Sequence, residues 1–575
     1  MKKNSPFFLK SKTQIFIGLI LPAIFLYFKS LSFGFTSMDE QWMIIKDVTF
    51  LQDWFSVKSA FTEPSTNLYY RPLFMISLIL DYHLAKLNPM MYHLTNLCWH
   101  LLSVILLFKF LIGFNVEKKQ AYIFSLLFSV NPLLLHAIAW VPGRNDLILC
   151  VFTLASLIHI KKFIDNNKRK DLMFHFLFFI CALFTKESAI ILPLVYIILY
   201  FGFKKDSLKR NITFTFIWIA VSAIWLLIRN SITSESITSQ NNFLTDFLNF
   251  IQGYLIFIGK IIFPIQQSVL PSIVNTSLVP GIATFLIFMI LCFYPGLKNK
   301  KTAFLGLFIF LMLLAIPVWF GATKPGSEHY EQRIYGSMIG IILFLSQVKF
   351  NTDSKLYPIC ISLFCLIFCL KTHSRMNIYK NELSYIEAGI NERPDYYLFH
   401  LQKADILNKK REYQASLAYY NAAIDIRPNY PQALSNRGSS YFSLGKFKEA
   451  TDDYTKAIEN SDFNKLYYLN RCQAYFKNNE IENAMHDFGV LKKHSPELIK
   501  PDFEKKLTDK WFQLLEGLQK QIQKEPRNAE LYFKYSSLYF GVELIPQGIA
   551  FLKKAIELDP ENKSYQDLLG IYSAR

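Results

Sequence analysis

Long apolar runs alternate with short polar breaks along the chain as far as about Lys371, after which the sequence turns polar with a regular beat. Runs such as 101–114, 123–135 and 213–228 carry few charges or none. A helix needs roughly 20 apolar residues to cross a bilayer, and the first two thirds of the chain offers many runs near that length. The pattern predicts eleven crossings, near 13–30, 92–114, 120–138, 146–162, 172–185, 188–203, 211–229, 278–294, 303–320, 335–348 and 356–371. The run 247–263 does not fit as a crossing, because counting it would carry the cluster Lys298, Lys300 and Lys301 to the other face. Its Gly259 and Lys260 suit an interfacial or re-entrant helix.

Beyond about Tyr379 the period is 34. Pro394 and Pro428 are 34 residues apart, Pro428 and Pro496 are 68 apart, and Pro526 and Pro560 are again 34 apart. Ala404, Gly438 and Cys472 share one phase, Ala450 and Ala484 another, Ala423 and Ala457 a third. Small residues at fixed offsets let the two helices of a hairpin approach closely, and a 34-residue helix-turn-helix closed by proline is the tetratricopeptide repeat. Four units start near Tyr397, Pro431, Lys465 and Ala529, with a helical insert at 500–527 before the last. Such an array presents a groove to a protein or peptide partner; the plainer alternative is a passive helical cap on the membrane half. The fold class is therefore all-α: a polytopic membrane helix bundle over 1–375, followed by a tetratricopeptide-repeat α-solenoid over 376–575.

Composition agrees, with 52% hydrophobic residues, 54 phenylalanines and a mean hydropathy of +0.21. The formal charge of +18 would suit nucleic acid if it formed a patch. Instead the bases fall in alternate short loops, among them Lys118 and Lys119, Lys161 to Lys170, Lys204 to Arg210, Lys298 to Lys301, and Lys349 and Lys355. That is the arrangement of cytoplasmic connections, so no nucleic-acid partner is predicted. An odd number of crossings then places the N-terminus in the cytoplasm and the repeats outside. The eight cysteines show no CxxC spacing, so neither a disulfide framework nor structural zinc is expected. The opening Met-Lys-Lys before an apolar run reads as a retained anchor.

In this topology the outer face receives 31–91, 136–145, 185–188, 230–276 and 321–334, which hold nearly all the unusual polar residues. Foremost is FGFTSMDEQW at 33–42, with adjacent Asp39 and Glu40. The others are Arg71 in YYRPL, His93 and His100 in MMYHLTNLCWH, Arg144 and Asp146 in HAIAWVPGRND, Lys186 and Glu187 in FTKES, and Glu331 and Arg333 in HYEQRIY. Ionisable groups at a membrane edge are costly and point to function. Carboxylates mixed with guanidiniums suit transfer of a sugar from a polyprenyl phosphate to a hydroxyl. Asp39 would take the acceptor proton, and Arg333, Arg71 and Arg144 would hold the leaving phosphate. Plainer readings stand beside this one. Asp39 and Glu40 suit a solvated helix cap, Arg144 with Asp146 and Lys186 with Glu187 suit local ion pairs, and Arg333 with Tyr335 suits an interfacial anchor. His93 and His100, seven apart on one helix face, suit packing better than metal ligation.

The succession of these motifs, with YYRPLFMISLILDYHLAKLNP and HYEQRIYGSMIG, resembles the GT-C glycosyltransferases, in particular the transmembrane and tetratricopeptide repeat-containing O-mannosyltransferases and their bacterial relatives. The resemblance implies a catalytic acid in the first outer loop, a polyprenyl-phosphate-linked sugar donor, and acceptor hydroxyls on a protein or on a lipid or glycan. It maps the acidic pair onto Asp39 and Glu40, and the basic motifs onto Arg71, the segment Arg144 to Asp146, and the segment Lys186 to Ser188 with its Glu187. The E-x-R-x-Y segment falls on Glu331, Arg333 and Tyr335, with His93 in support. The implied enzyme is an inverting transferase of mannose or a similar sugar in a bacterial inner membrane, its repeats periplasmic. No cofactor is predicted; metal dependence varies across the superfamily and no metal cluster is evident in the sequence. The rival readings are a membrane-anchored scaffold for an envelope complex and a transporter or flippase.

Overall fold

The computed structural model describes residues 11–36, 39–65, 69–204, 208–233, 242–262, 264, 267–272, 275–323, 330–350, 354, 356–541 and 544–573. Ser37 and Met38 of the acidic stretch, parts of the loops 230–276 and 321–334, and Lys205 and Lys355 lie outside the described residues. Every regular element described is a helix. The chain forms two compact units, Met1–Arg393 and Pro394–Arg575.

In the first unit six helices are long and apolar enough to cross a membrane: Lys12–Ser32, Pro89–Gly113, Val141–Asn166, Arg210–Ile232, Lys300–Ala322 and Leu356–Tyr379. The pair Lys118–Ser129 and Pro132–Ala139, bent by 49°, makes a seventh if read as one broken span. The bend has a local cause. Pro132 brings no N–H to continue the first helix, and the Asn131 side chain accepts from Leu133 N at 3.0 Å to start the second. Of the remaining predicted crossings, 172–185 and 335–348 form helices of only 15 and 8 residues, Arg169–Leu183 and Met338–Leu345. Glu187–Phe203 and Val279–Phe293 are also short, and Pro72–Ala85, within the predicted first outer loop, is a further apolar helix. Phe216, Ile224 and Leu227 on one long helix, and Ile359, Leu363 and Leu370 on another, are exposed, as lipid-facing side chains are.

Helix starts follow from capping. Ser11 and Gln14 form a reciprocal box, each side chain accepting the other's backbone N–H at 3.1 Å, and Asn299 accepts from Thr302 N at 3.1 Å. The helices Lys300–Ala322 and Met338–Leu345 make a hairpin packed backbone on backbone. A Cβ at Gly306 would lie 2.6 Å from Phe344 N and 2.7 Å from Gly340 O. The base of the hairpin is tied by Lys298 N to Gln347 O at 2.8 Å and Lys349 N to Gly296 O at 2.9 Å. The short helix Glu331–Ile334 lies between its two arms in sequence.

The second unit carries the 34-residue beat as helix pairs: Tyr397–Lys409 with Tyr413–Ile426, Pro431–Ser443 with Phe447–Glu459, Lys465–Lys477 with Ile481–His494, and Ala529–Gly541 with Ile545–Leu558. The 24-residue helix Pro501–Lys524 stands before the last pair. One coupling position recurs between the paired helices with changing chemistry. It is Lys403 Nζ 5.9 Å from the Tyr419 ring centroid, then Arg437 on Asp453, then Arg471 on Asp487, then the Tyr535 and Phe551 rings 4.5 Å apart. The small residue of the main phase sits against an aromatic ring: a Cβ at Gly438 would lie 2.9 Å from Tyr454 Cε1.

Candidate active site

The first loop is anchored by its second carboxylate. Glu40 accepts from both the backbone N–H and the hydroxyl of Thr36, the latter at 2.6 Å, and from Val141 N at 3.2 Å. It is fully buried, and burial pushes its carboxyl up to about 7 against the pull of those donors. Expected beside Asp39 as half of a catalytic pair, Glu40 instead turns inward as a tether. Asp39 is exposed and lines a cavity of about 500 Å³.

The same cavity is lined by Arg71, Lys186, Glu187 and Arg333, so outer segments distant in sequence meet at one place. Arg71 precedes the helix opened by Pro72, and its Nε and Nη2 donate to Glu187 Oε2 at 2.9 and 2.8 Å. Its guanidinium carbon lies 4.0 Å from the Tyr69 ring centroid. Lys186 Nζ donates to Asp146 Oδ1 at 2.6 Å. Burial, together with Arg71 and Arg333 nearby, holds the Lys186 ammonium below its usual range despite Asp146. Arg333 donates to Pro317 O at 3.1 Å and lies 5.1 Å from the Tyr330 ring centroid. The cations of the two ion pairs expected between sequence neighbours turn to other segments: Lys186 reaches Asp146, and Arg144 reaches Asp81.

Arg144 does not line the cavity. It is wholly buried, ion-paired to Asp81 at 2.6 Å, and donates to Asn96 Oδ1 at 2.7 Å and Tyr92 O at 2.8 Å. Its fork is occupied by the helices Pro72–Ala85 and Pro89–Gly113, which makes it a structural clamp and not a phosphate ligand. Four more expected site residues sit behind the wall. Asp146 is buried against Lys186, and Glu331 is buried, accepting from Lys260 Nζ at 2.6 Å and Ser268 N at 3.0 Å. Tyr335 lies with its hydroxyl 2.6 Å from His100 Nδ1; because His100 Nε2 faces the Ser129 carbonyl at 3.0 Å, Nε2 carries the proton and the tyrosine donates. His93 Nε2 donates to Gly34 O at 3.3 Å and fixes the first loop from below.

The sequence reading missed the lining residues Arg229, Trp140, Tyr330 and Gln332, and included Asn145 and Ser188 only as parts of matched motifs, without a role. Arg229 follows the apolar run 213–228 at the end of the predicted crossing 211–229. Asn145 and Gln332 are the neutral middle residues of the two charged motifs; Asn145 lines the cavity where its charged neighbours do not, and Gln332 lines it together with Arg333. Trp140, Asn145, Ser188, Trp225 and Gln332 are each more than nine-tenths buried, and each keeps a polar atom, Nε1, Oδ1, Oγ, Nε1 and Oε1 respectively, without a hydrogen-bond partner among the described residues. Buried polar atoms are normally satisfied, so five around one cavity set this lining apart. Ile316 and Phe320 give the opposite, apolar character elsewhere on the lining.

Tetratricopeptide-repeat family models match residues 404–445, 431–461 and 529–562. Over most of the chain the similarity is to protein O-mannosyl-transferases. The human protein O-mannosyl-transferase TMTC3 is 23% identical over 577 residues, covering 87% of this chain and 62% of that protein. Protein O-mannosyl-transferase F38B6.6 of Caenorhabditis elegans is 24% identical, covering 59% of this chain and 51% of that protein. Among solved structures, the tetratricopeptide-repeat protein YrrB, described as having an unusual peptide-binding site, is 17% identical with a TM-score of 0.17, covering 32% of this chain and 96% of that one. The chain thus resembles the TMTC proteins in both halves while spanning 62% and 51% of the lengths of these two relatives.

Proposed function

We propose that the chain is an integral-membrane glycosyltransferase that moves a sugar, mannose or similar, from a polyprenyl-phosphate donor to a hydroxyl of a protein or of an envelope glycan or lipid. The observation that carries this reading is the meeting of Asp39 with Arg71, Arg229 and Arg333 around one cavity. Its lining joins an apolar part, a cationic part and a wall of unpartnered polar atoms. A polyprenyl phosphosugar has the same three parts. The relatives' names support mannose as the sugar and protein as the acceptor.

In the reaction the acceptor hydroxyl attacks the anomeric carbon, forming the new C–O bond as the bond to the phosphate oxygen breaks. The hydroxyl proton passes to the Asp39 carboxylate, and the lipid phosphate leaves with the electron pair. Arg333 and Arg229 stabilise the charge that grows on that phosphate, Arg71 being held by Glu187 as the rim between them. One displacement opposite the leaving group inverts the anomeric centre. Asn145, Gln332, Ser188 and Trp140 hold the sugar hydroxyls. On this reading the cavity opens to the outer face of a cytoplasmic membrane, and the repeat groove recruits the protein that carries the acceptor.

Purified chain supplied with polyprenyl-phosphate-linked mannose and a serine- and threonine-rich peptide tests the reading. Wild type transfers sugar, and Asp39→Asn retains donor binding with transfer lowered by about 10²- to 10⁴-fold, the usual share of a general base. Full transfer by Asp39→Asn removes Asp39 as the base.

A further inference from the structure

We propose that the first unit holds a second ligand site, at the other end of its membrane helices, for the headgroup of an acidic phospholipid. The site is a cavity of about 980 Å³ lined by Lys12, Lys109, Lys118, Lys161 and Lys162, with Asp165 as its carboxylate. Asp165 is taken up by Lys161 at 2.5 Å. Lys12, Lys118 and Lys162 have no side-chain hydrogen bond or ion pair among the described residues, and Lys109 meets the ring of Phe16 at 5.8 Å. Four further ammonium groups thus face a cavity whose lining carboxylate, Asp165, is already held by Lys161. Nearby, the helix Lys118–Ser129 begins at Glu117 without a side-chain cap, so its first-turn N–H groups add to the anion-binding character.

Position separates this cavity from the candidate active site. Asn145 lines the first cavity and Lys161 the second, sixteen residues later on the helix Arg144–Asn166, a rise of about 24 Å. That is most of the depth of a bilayer core, so the two cavities open toward opposite faces. The walls choose a lipid over a soluble phosphate compound. Phe16, Phe108, Phe114 and Ile158 line the cavity, and Ile112 at its edge is 39% exposed, so acyl chains can continue along the helices from a bound headgroup.

Lipid binding to the purified full chain tests the site, by native mass spectrometry with phosphatidylglycerol, cardiolipin and phosphatidylcholine, and with inorganic phosphate as competitor. Acidic lipid is expected to bind at least tenfold more tightly than phosphatidylcholine, and the triple variant Lys109→Gln, Lys118→Gln, Lys162→Gln to lose about tenfold or more of that affinity. These lysines are exposed, and unchanged circular dichroism and thermal unfolding verify that the variant folds. The control Lys168→Gln, Arg169→Gln, Lys170→Gln neutralises the exposed start of the following helix, Arg169–Leu183, and is expected to bind as wild type. Three results each overturn the proposal: equal binding of acidic and zwitterionic lipid, equal loss in the control, or displacement of the lipid by millimolar inorganic phosphate.

Discussion

Glu40 and Val141 are joined by a hydrogen bond of 3.2 Å that fastens the first loop to the start of a membrane helix 101 residues later. Asp39 owes its place in the cavity to this tether. The tether also responds to pH. Burial raises the Glu40 carboxyl in the folded chain to about 7 from its ordinary 4.5. A carboxyl raised on folding binds its proton more readily when folded, so its stabilising contribution is present at acid pH and is lost as pH climbs from 4.5 through about 7. Thermal unfolding in detergent across that window should show a Tm falling with pH in wild type and a flatter profile in Glu40→Gln. Parallel profiles would assign the slope to other groups.

Arg144 and Arg333 look alike in sequence and should part company in the laboratory. Removing Arg144 leaves Asp81 charged, buried and unpaired, and Arg144→Ala is expected to cost about 3–5 kcal/mol of stability. Arg333→Ala is expected to change stability by less than about 1 kcal/mol. It should weaken donor use by about ten- to a hundredfold, the range for losing a charged hydrogen-bond donor to phosphate. Unfolding and initial-rate measurements on the two proteins separate the roles.

The neutral residues of the two charged motifs are expected to read the sugar. Asn145→Ala and Gln332→Ala should each lower kcat/KM by about three- to tenfold, as neutral hydrogen bonds do, while leaving the affinity for free polyprenyl phosphate unchanged. Equal loss of affinity for the unglycosylated lipid would move both residues out of the sugar subsite.

In the repeats, Arg437 and Asp453 share two parallel hydrogen bonds, 2.8 and 2.7 Å, and Arg437 also reaches Asn421 at 2.8 Å. One repeat later Arg471 binds Asp487 at 2.9 and 2.8 Å and Thr455 at 3.2 Å. A double-mutant cycle on Arg437→Ala and Asp453→Ala is expected to give a coupling of about 1 kcal/mol, since the pair is bidentate and largely shielded from water. A cycle on Lys554 and Glu557, both open to solvent, should give none that is measurable.

What the sequence made legible is what is written in one dimension. The 34-residue beat places Gly438 and Cys472 in register, and the helix pairs begin where that beat puts them. The long apolar runs mark the principal membrane helices. Lengths failed where backbone chemistry intervenes, as at Asn131 and Pro132, where a predicted single crossing bends. The site was legible as a set of segments and not as a set of side chains. Nothing local distinguishes Arg144 from Arg71, because the difference lies in partners 63 and 116 residues away, Asp81 and Glu187. Glu40 and Asp39 are neighbours whose opposite fates are set by Val141. Asn145 and Gln332 were assigned no role because an uncharged residue between charged ones carries no signal until the chain is folded.

The glycine contact between the helices Lys300–Ala322 and Met338–Leu345 gives Arg333 a mechanical setting. Gly306 and Gly340 let two peptide backbones touch near the tied base of a hairpin, and the short helix carrying Arg333 stands in the segment that joins its arms. A single methyl group added at Gly306 would wedge those arms apart, and the opening would pass along them to the joining segment and its guanidinium. The precision with which that arginine is held thus depends on the absence of two carbon atoms where the arms meet.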